Sequence, residues 1–422
     1  MKSLSERDQK HLWHPLTQHK LHPKMLGITK AKGAVLYDEN GKEYIDGISS
    51  WYTAMYGHCN EAIIDRVYQQ MQRLDQVVFS GFTHEPAVAL SEALMPLLPS
   101  NQEKLFFSDN GSTSTEIGIK MALQYHHNKG EKRSVLLAFE DGFHGDTFGA
   151  MSVSSLSVYN GPFEDYFIEV KRIPVPKDDN IGSLLHELEN NIDLGFIAGF
   201  IYEPLVQGAA AMKMHRAEHL EKILKVIKSH GVLAIADEVM TGFGKTGRHF
   251  ASDYMEVKPD IICMSKALTA GMLPMAVTSC TKEVYDAFYS EDIAKGLFHG
   301  HTYTANPLAC AAALAGIELL KSEAIQKNIS RIIRWHQEFD AEIKGHPKVA
   351  STRQIGVIYA LDLNIAMERY GNVRDKLFKH FMDAGVFLRP LGNTIYILAP
   401  YITTKEQMQK IYSSIKEVLA NF

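Results

Sequence analysis

The chain is poor in cysteine, with only Cys59, Cys263, Cys280 and Cys310 among its 422 residues. They are scattered and form no paired spacing, which argues against a disulfide framework or a zinc site and leaves buried free thiols as the expected state. Long apolar runs are also missing. The longest uncharged one, LACAAALAGI at 308–317, is too short to span a bilayer. The opening MKSLSERDQKHLWHP has no apolar signal core, so the expectation is a cytoplasmic protein without a membrane partner. Positive charge is not in excess: 44 Lys and Arg against 49 Asp and Glu leave a formal −5. That balance argues against a nucleic-acid surface and for a small-molecule ligand. No linker-like Pro, Gly or Ser run, low-complexity tract or repeat interrupts the chain. HExxH and comparable ligand spacings are absent, so no metal is expected.

What remains is the make-up of a self-sufficient globular protein, 45% hydrophobic and 22% charged. The length suits a large α/β domain with a second, smaller one. From about Glu61 onward, helical patterns near 61–75, 86–98 and 113–128 alternate with short apolar runs at 104–108, 134–139, 196–202 and 274–280. This alternation is that of βα units around a largely parallel sheet.

The ends read differently. A short helix over 3–12 precedes AVLYDENGKEYIDGI, whose two alternating runs flank Asn40-Gly41, a strong hairpin signal. SSWYTAMYGH at 49–58 reads as a loop leaving that small sheet. After Pro307 one long helix is expected to about Lys344, followed by runs at 357–364, 386–390 and 394–400, a helix near 373–384 and a last helix from about 404. The expected organisation is a large domain over 59–310 and a smaller α+β domain built from 1–58 and 311–422.

Chemistry concentrates between Gly231 and Leu268. Two buried strands, VLAIA at 232–236 and DIICM at 260–264, each deliver a charged residue just past their ends, Asp237 and Lys266. Parallel sheets bind ligands beyond their strand carboxyl ends, so the two residues are expected to share one crevice. An acid and an amine so placed suit pyridoxal phosphate: Lys266 as the Schiff-base lysine, Asp237 as partner of the pyridine nitrogen. The rival is a nucleotide hydrolase, with Asp237 and Glu238 binding metal and GFGKTG as phosphate loop. That motif needs a glycine five residues before Gly244, where this chain has Val239.

Three further loops bear on the same crevice. SDNGSTSTE at 108–116 puts Gly111, Ser112 and Thr113 at a helix start, either as an anion cup or as a capping box with Glu116 reaching back. In DGFHGDTFGA at 141–150, Phe143 either lies against a flat ring or packs in the core; His144 is assigned no role. GLFHGHTYTANP at 296–307 offers Thr302 as a second phosphate hydroxyl, and Arg389 after VFL is either a carboxylate clamp or a surface ion-pair partner.

Through IADEVMTGFGKTGR, the MSKAL lysine and SDNGSTSTEIGIKMALQY, the chain resembles the class III aminotransferases of the fold-type I pyridoxal phosphate enzymes. HLWHP, DGISSWY, HGDTFGAMSV, EPLVQGA, NPLACAA and LRPLGNTIYILAPY narrow the resemblance to the branch that aminates 8-amino-7-oxononanoate in biotin synthesis. The resemblance implies a homodimer with its active site at the subunit interface, the Thr302 loop reaching the neighbour's cofactor phosphate. Position by position it implies Lys266 and Asp237 as above, Gly111, Ser112, His301 and Thr302 on the phosphate, and Trp51, Phe143, Gly300 and Arg389 on the substrate.

Departures stand at Leu16 and Phe143, where the branch usually has tyrosine, and at His301, where proline is common. They leave S-adenosylmethionine and lysine both open as amino donor, with Trp51 and Tyr52 favouring the former. Another ω-amino acid aminotransferase, or a pyridoxal-dependent epimerase or mutase, would keep the same lysine and acid.

Overall fold

Seven strands form the central sheet of the computed structural model, which describes residues 2–157, 160–190, 192–365 and 372–421. Across the sheet the order is Gln102–Ser108, Ala276–Thr281, Ile261–Met264, Leu233–Asp237, Ile197–Tyr202, Val135–Phe139 and Val170–Ile173. Only Ala276–Thr281 runs against the rest. Alternation along the strands divides their side chains between two apolar clusters. Leu136, Ile201, Ile235 and Ile261 pack with Ile117, Met121 and Tyr125 of helix Gly111–Asn128. Their neighbours Leu137, Phe200, Ala236 and Ile262 pack with Leu220, Ile223 and Ile227 of helix Ala217–Ser229. Helices on both faces explain why these strands read as continuous apolar runs.

The ends of the chain meet in smaller sheets. Val35–Asp38 and Glu43–Asp46 form the expected hairpin, Ile28–Lys32 extends it, and the C-terminal strand Val386–Phe387 adds in parallel beside Glu43–Asp46. A separate antiparallel sheet comprises Val349–Ile355, Ile358–Leu363 and Thr394–Ile397.

Two features depart from the sequence expectation. The long helix after Pro307 is two helices, Pro307–Lys321 and Glu323–Ile343. Ser322 ends the first in extended conformation and caps the second, its hydroxyl accepting from the Ile325 N–H at 3.3 Å. An apolar period persists through such a break, so periodicity alone misses it. The strands Val170–Ile173 and Val349–Ile355 also escaped notice; each has a partly exposed, polar-rich pattern typical of a sheet edge.

Candidate active site

Asp237 and Lys266 come together at the carboxyl edge of the central sheet. Their strands pair in parallel with Asp237 opposite Cys263, and Lys266 follows three residues on. Asp237 is 4% exposed. Its Oδ1 accepts the Val239 N–H at 3.0 Å, and its Oδ2 lies 2.8 Å from His144 Nδ1.

Lys266 takes a left-handed φ of 48°, and its Nζ lies 5.3 Å from the centre of the Tyr52 ring. Burial lowers the pKa of its amine below the ordinary lysine value, opposed by the charges of Asp237 and Glu203. More of the amine is therefore neutral, as a nucleophile or proton acceptor requires.

Glu203, at the end of the adjacent strand Ile197–Tyr202, was assigned no role from sequence. Its two oxygens accept from the N–H groups of Phe143 at 3.0 Å and Gly208 at 2.8 Å. Burial pushes its carboxyl up to about 7, with His144 pulling down and Asp237 adding to the rise. The strand-end argument that found Asp237 and Lys266 applies equally to this third strand, and would have found Glu203. His144, buried against Asp237, carried no signal beyond a loop position, because its partner is 93 residues away.

The stretch expected as a loop at 49–58 begins as a left-handed helical turn. Ser49, Ser50, Trp51 and Tyr52 have φ of 49°, 44°, 72° and 73°. Each non-glycine residue in this conformation costs about 1–2 kcal/mol, so the surrounding structure must hold the turn in place. Trp51 lies against Arg389, its ring centre 4.8 Å from the guanidinium carbon. Tyr52 packs against Tyr396 with ring centres 5.9 Å apart. Successive residues of one turn thus face the two cations, Arg389 and Lys266.

Gly111 and Ser112 open helix Gly111–Asn128, where first-turn N–H groups have no intrahelical acceptor. A Cβ at Gly111 would lie 2.8 Å from Val239 Cγ1. Ser112 Oγ accepts the Asp146 N–H at 3.1 Å. The capping-box alternative is corrected here: Asn110 is the cap, accepting from the Thr113 N–H at 3.0 Å. Glu116 instead reaches the start of another helix, Phe148–Val153, accepting from the Gly149 and Ala150 N–H groups at 2.7 and 3.1 Å.

Other expected residues lie further out. Phe143 is partly exposed, not packed in the core. His301 Nε2 is 4.0 Å from Asp109 Oδ1, beside the Gly111 helix start. Gly300 precedes it in the same loop, where a Cβ would lie 4.0 Å from Thr304 Oγ1. Thr302 is exposed, and its carbonyl accepts from Gln76 Nε2 at 2.7 Å. Leu16 sits in the N-terminal segment, 63% exposed.

The nucleotide-hydrolase alternative loses its residues. Glu238 is fully buried and spent on Thr241, Ala251 and Ser252. Lys245 of GFGKTG is also fully buried, donating to the Gly242 carbonyl at 2.9 Å, and cannot reach a phosphate outside. Among the described residues, no group of His, Cys, Asp or Glu is arranged to hold a metal, and no helix is long and apolar enough to cross a membrane.

The aminotransferase class-III family model matches residues 17–419. The chain belongs to that family. It is 42% identical to the adenosylmethionine-8-amino-7-oxononanoate aminotransferase of Synechococcus elongatus, over 97% of this chain and 98% of the relative. Identity to the enzyme of the same name from Geobacter sulfurreducens is 35%, over 98% and 97%. The crystal structure of the Methanocaldococcus jannaschii enzyme of that name superposes with a TM-score of 0.92 at 31% identity, covering 98% of both chains. An amine transaminase from an uncultivated Pseudomonas species, solved in its PLP-bound internal aldimine form, also gives 0.92, at 27% identity over 97% and 98%. The fold is therefore that of the fold-type I transaminases, as the resemblance implied, and its largely parallel central sheet is the one the strand pattern predicts.

Proposed function

We propose that this class III aminotransferase binds pyridoxal 5'-phosphate and converts 8-amino-7-oxononanoate to 7,8-diaminononanoate, with S-adenosylmethionine as amino donor. The names of its full-length relatives support the substrate and donor. The observation that carries the reading is the meeting of Asp237 and Lys266 at adjacent strand ends.

The residues fit the cofactor. Glycine at 111 lets the helix start that would cradle the phosphate pack close against Val239, where a Cβ would lie 2.8 Å from Cγ1. A helix start with first-turn amides and the Ser112 hydroxyl suits a phosphate. Among the described residues, no carboxylate forms an ion pair with the Lys266 amine, and the buried His144 Nε2 has no partner. Asp237, held by His144 and the Val239 amide, offers a fixed carboxylate for a ring nitrogen. Phosphate contacts are assigned to Gly111, Ser112, His301 and Thr302, and the ring face to Phe143.

When bound, pyridoxal phosphate supplies an electron sink that stabilises negative charge at the donor carbon. The protein does the rest. Lys266 Nζ takes the proton from that carbon as the donor gives up its amino group and becomes a carbonyl compound, water supplying the new oxygen. In the second half Lys266 Nζ delivers a proton to C7 of the acceptor, whose ketone becomes an amine carrying the donor's nitrogen while its oxygen leaves as water. Asp237 keeps the ring nitrogen protonated. Arg389, stacked on Trp51, orients the acceptor carboxylate, with Gly300 and Leu16 on the substrate wall.

The molecule is a homodimer in this reading, with the active site at the subunit interface. Large apolar side chains around the Gly300–Thr302 loop support this: Tyr289, Ile293, Phe298 and Tyr303 are mostly exposed, as is Trp13 of the N-terminal segment. A second copy covers them. Residues 59–310 form the catalytic body and 1–58 with 311–422 the smaller domain; the pairing of Val386–Phe387 with Glu43–Asp46 supports that division.

The test incubates the protein, pyridoxal phosphate and 8-amino-7-oxononanoate with S-adenosylmethionine or lysine, and measures 7,8-diaminononanoate by mass spectrometry. The diamine should appear with S-adenosylmethionine. Its absence with both donors overturns the substrate assignment, and its appearance with lysine alone overturns the donor.

A further inference from the structure

Asp46 has no part in the chemistry above, yet it is a fully buried carboxylate within four residues of the strained turn. Its Oδ1 accepts the Ile48 N–H at 3.2 Å. Its Oδ2 accepts two side-chain donors, Ser50 Oγ at 3.0 Å and His58 Nε2 at 2.8 Å. His58 is itself anchored through its backbone: its N–H donates to the Gly33 carbonyl at 2.7 Å and its carbonyl accepts the Gly33 N–H at 3.0 Å. The imidazole is thus a strut between the hairpin edge and the carboxylate.

On the other side of the turn, Ser49 Oγ donates to the Leu398 carbonyl at 2.7 Å, and the Leu398 N–H donates to the Gly47 carbonyl at 2.8 Å. Strands from both ends of the chain therefore grip four residues whose conformation is unfavourable on its own. The turn also abuts the loop that follows Lys266: a Cβ at Gly271, itself at φ 77°, would lie 2.9 Å from Thr53 Oγ1.

We propose that Asp46 and His58 form a latch that holds the left-handed turn in register, so that Trp51 meets Arg389 while Tyr52 meets Lys266. They are positioning residues. In the observed left-handed turn the adjacent side chains diverge, Trp51 toward Arg389 and Tyr52 toward Lys266. Relaxing Ser50 into the ordinary right-handed region would swing Trp51 away from the guanidinium. Burying an aspartate is unfavourable unless its acceptors are filled, and here three donors fill them. Removing one donor frees the turn to relax.

This inference rests on the aminotransferase reading for its kinetic arm, while its structural arm needs no turnover. The variants are His58→Gln, Asp46→Asn and Ser50→Gly. The last removes the hydroxyl but leaves a residue that adopts positive φ without strain, so it tests the latch even if Asp46→Asn does not fold. In a Trp13→Phe/Trp335→Phe background, Trp51 is the sole tryptophan, and acrylamide quenching reports its exposure.

For the full protein loaded with pyridoxal phosphate, His58→Gln and Ser50→Gly should raise the Trp51 quenching constant about twofold. They should also lower kcat/KM for the amino acceptor by about tenfold, a fraction of the loss that a 1 Å misplacement brings. Cofactor affinity should stay within about twofold of wild type, since the side chains of both residues bond to Asp46 and not to the Gly111 helix start. Unchanged quenching and kinetics in both variants, with only a lowered melting temperature, would overturn the latch. Failure of the aminotransferase reading looks different: the unmutated protein makes no diamine, while the quenching comparison still decides the latch.

Discussion

His144 Nδ1 and Asp237 Oδ2 lie 2.8 Å apart, and both side chains are buried. The pair joins the loop after strand Val135–Phe139 to the end of strand Leu233–Asp237, two strands away across the sheet. A carboxylate whose partner cannot leave keeps its direction.

Asp237→Asn therefore removes a charge without removing a side chain. We expect near-wild-type far-ultraviolet circular dichroism and a fall in turnover of about 10²- to 10³-fold, the range seen when one preorganised electrostatic contact is lost. Full turnover in this variant would sink the assignment of Asp237 to the ring nitrogen.

Lys266→Ala deletes the amine that moves the proton. Turnover should drop by at least about 10⁴-fold, and the visible absorbance gained by the unmutated protein on adding pyridoxal phosphate should not form. A variant that stays yellow after dialysis and turns over would move the reactive amine elsewhere.

Arg389→Lys keeps the charge but loses the planar fork that can hold a carboxylate at two points while lying on Trp51. The KM for 8-amino-7-oxononanoate should rise by about 10- to 100-fold, with a smaller change in kcat. Steady-state kinetics with the donor saturating separate the two constants. An unchanged KM would show that Arg389 does not hold the acceptor carboxylate.

Glu203 makes stability depend on pH in a calculable direction. The unfolded glutamate titrates near about 4.3, whereas the folded one holds its proton up to about 7. Between those values the native state binds more protons than the unfolded state, so this group lowers stability as pH rises through the window and adds no slope above it. Glu203→Gln should flatten the fall in melting temperature across that window. Parallel melting curves for the two proteins would show that Glu203 ionises normally.

Gly111→Ala tests the cradle. The new Cβ would sit 2.8 Å from Val239 Cγ1, so the helix start or Val239 must shift by several tenths of an ångström. Pyridoxal phosphate should bind at least about tenfold more weakly, equivalent to roughly 1.4 kcal/mol, as read by absorbance titration. Unaltered affinity would place the phosphate elsewhere.

Alternation of short apolar runs with helical periods was enough to reveal the central sheet, and the strand-end rule was enough to single out Asp237 and Lys266. Both signals are local: each lies within about ten residues of chain. The break at Ser322 lay hidden, because a capping serine inside a continuing apolar period looks like any polar helix residue. So did the left-handed turn at Ser49–Tyr52, since no residue in SSWY prefers positive φ.

What the amino-acid sequence determined by itself is the layered α/β architecture and the acid and lysine at its ligand edge, because burial pattern and strand ends are written in consecutive residues. Only the tertiary structure decided that His144 serves Asp237, that burial raises the pKa of Glu203, and that Trp51 and Tyr52 face Arg389 and Lys266. Those outcomes depend on burial and on partners brought from distant parts of the chain, such as Leu398 against Ser49. The energy of such contacts resides in three-dimensional proximity, which no local pattern encodes.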